Sequence, residues 1–270
     1  MRSMIFYRLL PAILFFSTIV LSAENDSKIE SHDLLAHANK IFSEANDTQK
    51  PESISLYLKA ASLYEKVAQK AGINNAKLYY NIGNCYLLAD NIGMAIYNYK
   101  KSERIDSTDP LLQKNLAVAR SKRLDRVEVE IERKVLSTIF FWHYDFSTKV
   151  RFYLALSFFA LIMLLATIKV LTRTFGGYWP LTIVLGLMFL SMTASVVIET
   201  VDSKIHTEGV IIASELVARK GDSEKYEKAF NEPLHEGTEF ELIEKRPGWI
   251  RVSLVDGSKV WLPEEGCRLL

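Results

Sequence analysis

Nucleophilic, acid–base and metal chemistry rests mainly on cysteines, histidines and paired carboxylates. This chain of 270 residues holds two cysteines and five histidines. Cys85 and Cys267 stand far apart, and neither has a second ligand at metal-site spacing. His32, His37, His143, His206 and His235 are scattered, and none sits with a Cys, Ser or carboxylate in a pattern that activates a nucleophile. There is no glycine-rich phosphate loop. The residue pattern therefore predicts a protein that is not an enzyme and uses no metal or cofactor. Cys85 reads as a small buried residue on a helix. A Cys85–Cys267 disulfide, the alternative in an oxidising compartment, would tie two separate domains together.

Binding must then be sought in the elements that present the surface. Hydrophobic residues make up 49% of the chain and charged residues 24%. Together these figures require apolar and charged residues to be segregated along the sequence. The net charge of +1 supplies no basic field, so nucleic acid is not an expected partner.

The apolar residues fall into three runs. The first follows Arg2 and Arg8, extends from Leu9 to Leu21, and ends in Ser22-Ala23 before Glu24-Asn25-Asp26. It is short for a span and reads as a secretory signal, residues 1–23. Leu21, the third residue before the cut, is bulky, which leaves an uncleaved anchor as the alternative. The second run is 152–170 and the third 178–198, each reaching roughly 30 Å as a helix, the thickness of the hydrocarbon core. Neither contains an acidic residue. They predict a two-helix transmembrane hairpin.

Lys169 and Arg173 lie at the connector, which places it on the cytoplasmic side. Lys149 and Arg151 before the first span argue the other way. The exported N-terminus decides for the first arrangement, with both soluble parts on the extracytoplasmic side of a bacterial inner membrane. Within the linker and interfacial segment, 127–151, the run VLSTIFFWHYDF (135–146) gathers Ile139, Phe140, Phe141, Trp142, Tyr144 and Phe146. It reads as a segment lying on the bilayer, with a buried domain edge as the alternative. Residues 120–134 mix charge signs closely and predict a solvated helix extension.

Residues 76–110 show Tyr79, Ile82, Gly83 and Tyr86 at helical spacing, a break at Asp90-Asn91, then Ala95, Tyr99 and Ser102. The small residues Gly83 and Ala95 suit close helix packing, and the tyrosines fill the space around them. This helix–turn–helix resembles a tetratricopeptide repeat, with Ser102 in place of the second alanine and Ser107 in place of the proline. A looser copy runs through Ala38, Phe42, Tyr57, Ala60, Ala61 and Tyr64, with a long turn over 45–52. Asn115, Leu116 and Ala119 begin a further helix that caps the stack. The resemblance implies a helical repeat domain over 31–126, with five helices and a concave face for partner segments. On that face it places Asn39, Lys77, Asn81, Asn84 and Lys114. Leu35 stands where a carboxylate clamp would have lysine.

From Glu208 the pattern becomes short apolar runs: 210–212 with 216–217, 240–243, 249–254 and 260–262, separated by Gly237-Thr238, Pro247-Gly248 and Asp256-Gly257. Asp-Gly between apolar runs signals a hairpin. The strings LHEGTEF, GWIRV and DGSKVWLP resemble bacterial SH3-like domains, with Val260 replacing a glycine. The resemblance implies a small barrel over 205–270 that contacts peptidoglycan or protein segments through Trp249 and Trp261. The fold class expected overall is mainly α with a separate small all-β domain.

The order of signal, repeats, interfacial aromatics, hairpin and SH3-like domain resembles BatE-type proteins of the bacterial aerotolerance operon. That family implies a scaffold in the cell envelope whose partners are membrane proteins with von Willebrand factor A domains, linked to oxidative-stress tolerance. A peptidoglycan-binding sensor is the alternative.

Overall fold

The computed structural model describes residues 30–71, 75–125, 140–144, 146–172 and 179–270. The expected signal peptide and residues 127–139 of the expected linker lie outside them. The chain divides after Asn91 into two compact units. This boundary falls inside the region expected to form one repeat domain.

The first unit holds α1 (30–47), α2 (Glu52–Ala71) and α3 (Ala76–Leu88). In α2, Tyr57, Ala60, Ala61, Tyr64 and Val67 recur at one-turn intervals and are buried. Together they make a single apolar stripe. They pack with Ala38 and Ile41 of α1 and Leu78, Ile82 and Cys85 of α3. Ala38, Ala60 and Ala61 are fully buried, and their small side chains let the helices approach. The tyrosine hydroxyls reach the rim. Tyr57 Oη donates to Asn46 Oδ1 at 2.9 Å and Tyr86 Oη to Glu65 Oε1 at 2.8 Å. The turn before α2 is only 48–51, because Ala45 to Asp47 remain helical. Asn75 caps α3 by accepting from the Lys77 N–H.

The second unit begins with α4 (Ile92–Ile105) and α5 (Pro110–Ser121). Asp109 caps α5 and Pro110 opens it, a placement in which proline's missing N–H costs the helix nothing. A one-turn helix, α6 (Phe141–Tyr144), precedes two long helices, α7 (Thr148–Thr172) and α8 (Trp179–Ile205). Within 148–171 and 179–201, 18-residue windows reach mean hydropathies of 2.4 and 2.3, yet only 6% and 11% of each window is buried. A soluble core helix of that composition would be enclosed by protein. These are two helices long and apolar enough to cross a membrane. Both extend beyond the apolar runs seen in the sequence.

Seven strands follow: β1 (Glu208–Ile211), β2 (Glu215–Leu216), β3 (Leu234–His235), β4 (Glu239–Arg246), β5 (Trp249–Leu254), β6 (Lys259–Pro263) and β7 (Cys267–Leu269). Five form an antiparallel sheet in the order β6-β5-β4-β1-β7, and β2 pairs with β3. The run expected as one broken strand is thus divided between two sheets. A bulge between Leu242 and Glu244 turns Ile243 outward. The Asp256-Gly257 hairpin closes with three residues rather than two. Leu254 N–H donates to Ser258 O, and Gly257 takes φ +82°, a conformation glycine adopts without strain. The core comprises Ile211, Phe240, Ile250, Val252, Leu262 and their neighbours.

Cys85 and Cys267 are both free and buried, so the disulfide alternative does not hold. Each fills space in the core of its own unit. Leu262 is fully buried. Leu262→Ala is expected to destabilise the sheet by about 2–5 kcal/mol, read as a matching loss of amide-exchange protection in β4 and β5.

Candidate functional site

The residues expected on a partner groove lie in both units. Asn39 is exposed on α1, and its Oδ1 accepts from Tyr64 Oη at 2.6 Å. The hydroxyl thereby orients the amide so that its NH2 points away from the tyrosine. Lys77 is exposed in the first turn of α3, and Asn81 and Asn84 lie half-buried further along it. Lys114 is exposed on α5, in the second unit.

On the sheet, Trp249 is half-buried at the start of β5. Trp261 is only 8% exposed. The Arg246 guanidinium lies over its ring, 4.8 Å from the centroid, a cation–π contact. Arg246 is held there by Asp222 at 2.8 Å and Glu244 at 2.7 Å. Much of the tryptophan face is therefore covered by an ion-paired arginine. A separate open cavity of about 600 Å³ lies beside β7, lined by Lys245, Ile250, Glu264, Glu265, Arg268 and Leu269 among others. Its floor is apolar and its rim carries both signs of charge.

The most developed polar arrangement is one that the sequence reading missed. It joins α4 and α5 to the sheet. Arg120, in the last turn of α5, holds Glu239 of β4 with two parallel bonds, Nε to Oε1 at 2.8 Å and Nη2 to Oε2 at 2.7 Å. Arg123 Nη1 adds a third at 3.0 Å to Oε1. Paired planar contacts of this kind are the strongest carboxylate–arginine geometry. Burial alone would raise the Glu239 carboxyl. The Arg120 hydrogen bonds, with the charges of Arg120, Lys100 and Arg123, hold it below its ordinary range. Alongside, Lys100 Nζ lies 3.1 Å from Glu208 and 3.3 Å from Glu103.

Just beyond α5, Asp125 accepts three bonds from the β3–β4 region. They come from the His235 N–H at 2.7 Å, the Thr238 hydroxyl at 2.7 Å and His235 Nδ1 at 2.9 Å. An ionised carboxylate only accepts, so the His235 ring carries its hydrogen on Nδ1. Burial raises the Asp125 carboxyl, and these bonds bring it below its usual value. At the other end of the contact, Glu236 Oε2 accepts from the Gly93 N–H at 3.0 Å. A carboxylate from the sheet thus caps the first turn of α4, where the helix dipole favours it. A Cβ on Gly93 would meet Ile211 O at 2.7 Å and Ile212 Cα at 2.9 Å, so only glycine permits this approach. Val210, pointing away from the sheet core, is fully buried where α4 packs on β1.

Arg120, Arg123 and Asp125 belong to the stretch expected to be solvated. Their side chains are ion-paired instead, and Arg123 is 10% exposed. Nothing in their spacing announces this, because the partners lie more than a hundred positions away.

A second polar cluster joins α7 and α8. Arg151, 1% exposed, is ion-paired with Glu199 and donates to Ser195 Oγ at 2.6 Å. Thr148 Oγ1 donates to the other Glu199 oxygen at 2.7 Å. Arg151 is therefore not the free flanking cation that the sequence reading weighed against the chosen topology.

Burial pushes both thiols up to about 12, which leaves them protonated at neutral pH. Among the described residues no three His, Cys, Asp or Glu side chains form a metal-binding group. No protein-family model, curated protein or solved structure matches the chain.

Glu239 and Asp125 are both held below their ordinary range in the folded state. Their stabilisation is present above the unfolded carboxylate value of about 4 and is lost as pH falls through the folded values. Amide exchange at Ile211 and Thr238 is expected to accelerate on acidification before the β4–β5 ladder opens. At neutral pH, Glu239→Gln is expected to weaken the contact by about 1–3 kcal/mol, discounted for the partial exposure of Arg120. Faster tryptic cleavage after Arg120 and Arg123 would report it. Arg120→Lys keeps the charge without the paired geometry and should have the smaller effect.

Proposed function

We propose that this chain is a non-enzymatic, membrane-anchored scaffold of the bacterial cell envelope, of the BatE type. In this reading α1–α3 are tetratricopeptide-like and present Asn39, Lys77, Asn81 and Asn84 to a partner segment. The sheet is an SH3-like module, and both soluble parts lie outside the inner membrane. The partners are membrane proteins with von Willebrand factor A domains, in a complex that serves oxidative-stress tolerance.

The observation that carries the reading is the ion-paired contact across the hairpin. Residues 92–125 precede the two apolar helices and residues 208–270 follow them, yet Arg120 grips Glu239 and Asp125 accepts from His235. Segments in direct contact share one side of any bilayer. The chain between them therefore crosses an even number of times, which two spanning helices satisfy. An exported N-terminus then puts both segments on the extracytoplasmic face. This argument does not depend on flanking charge.

The test is site-specific photo-crosslinking of the full chain in intact bacterial membranes, with the reactive group at Asn81. Envelope proteins with von Willebrand factor A domains are expected among the products. They should be diminished when Asn39 and Asn84 are replaced by alanine. Recovery of no envelope protein, or an identical set from the variant, rejects the scaffold reading.

The open cavity beside β7 favours a second reading, a peptidoglycan-binding sensor. Its apolar floor and mixed-charge rim suit a short zwitterionic peptide. Co-sedimentation of the detergent-solubilised full chain with purified peptidoglycan is its expected signature, and absence from the pellet rejects it.

A further inference from the structure

The aromatic turn that precedes the hairpin has a surface of its own. Phe140 and Phe141 are 44% and 50% exposed. Their rings stand edge-to-face with Trp142, at 5.6 Å and 5.5 Å between centroids. Phe146 closes on Phe141 at 6.3 Å. The rings pack on one another, and α6 rests against α8. This end of α8 also carries Ser195 and Glu199.

We propose that residues 140–144 and Phe146 form an interfacial foot, seated at the boundary between headgroups and acyl chains in the leaflet on the side of the docked domains. The proposal rests on the hairpin crossing a membrane. Four observations select lipid over a protein partner. Val150, Phe152 and Tyr153 are also exposed, in the first turns of α7, so the foot adjoins the apolar surface that the hairpin presents to lipid. The Arg151–Glu199–Ser195–Thr148 cluster lies at the same end. Charged groups are tolerated where the hydrocarbon ends rather than at its centre, which puts the neighbouring rings at headgroup depth. Lys149, exposed in the first turn of α7, supplies a cation that reaches phosphate. Trp142 brings an indole N–H together with an apolar body, the combination that favours this layer.

The foot would set the depth at which the chain leaves the bilayer. On the other strand of the hairpin only His206 and Thr207 separate α8 from β1, so the sheet emerges directly from the membrane helix. A foot before α7 and a two-residue exit after α8 would hold the docked domains at the membrane surface.

The test uses the full chain in phosphatidylethanolamine–phosphatidylglycerol vesicles doped with phosphatidylcholine brominated either near the glycerol end or at mid-chain. Trp142 emission is the difference between wild type and W142F, and Trp179 emission the difference between wild type and W179F. Trp142 is expected to lose at least about twice as much emission to the shallow bromine as to the deep one, as for a group buried 5–10 Å into the boundary. If W142F does not reconstitute, a nitroxide on F140C reads the same depth by oxygen-against-chelate relaxation. Cys85 and Cys267 are buried and leave that label site-specific. If Trp179 is quenched and Trp142 is not, the foot faces water or protein and the proposal falls. Deeper quenching of Trp142 by the mid-chain bromine also overturns it. If neither tryptophan is quenched, the membrane reading fails, and the proposal with it.

Discussion

The second unit depends on one carboxylate. Glu239 lies on β4, at the centre of the five-stranded sheet, and meets two guanidinium groups from α5 and its exit. A carboxylate taken from water needs charge and hydrogen bonds in return. Arg120 and Arg123 supply both, with Lys100 as a further positive neighbour. The geometry is demanding because each bond is directional. That makes the contact specific: a helix pair shifted by one residue would lose Arg120's paired bonds, the Asp125 acceptor site and the Glu236 cap together. The apolar part of the contact, with Val210 buried and Gly93 against the β1 backbone, holds the elements close enough for these bonds to form.

This contact makes the hairpin of α7 and α8 an insertion within a folded body. Some eighty residues separate Asp125 from Glu208, and closing so long a loop by itself carries an entropic cost. Two helices packed side by side reduce that cost, because their far ends cannot diverge independently. The Arg151–Glu199 pair acts at the end where the loop closes. It joins the start of α7 to the end of α8, and so brings the chain entering the hairpin beside the chain leaving it. The two ion-paired clusters are complementary, one fixing the hairpin mouth and the other fixing the domain above it.

What the sequence made legible follows the range of the interactions. Patterns confined to a few turns could be read directly: the spaced tyrosines and alanines of α2, the Asp109-Pro110 helix start, the two acid-free apolar runs, and the turn residues between β4, β5 and β6. These are local periodicities and caps, and their physical cause lies within about a dozen residues. β3 and β7 were not legible, because two or three residues carry no alternation. β7 exists because β1 offers it an edge. The dock was not legible for a deeper reason. A charge-rich stretch such as 120–125 looks the same whether it faces water or a partner, and its partners Glu239 and His235 read equally well as surface residues of a sheet. Arg151 was misjudged in the same way: as a lone flanking cation it argued against a topology with which, paired to Glu199, it is compatible.

The same constraint bears on how α4, α5 and the sheet move together. A β module on a flexible tether would sample its surroundings independently of the helices. Here α4 and α5 are bonded to the sheet through six charged side chains and a capped helix N-terminus, so a load applied to the sheet is transmitted to α4 before any tether extends. α4 follows α3 after only Ala89, Asp90 and Asn91, and Asp90 adopts φ +58°, a left-handed conformation uncommon outside glycine. The sheet and the helix pair α4–α5 belong to one compact unit, although the two long helices lie between them in sequence.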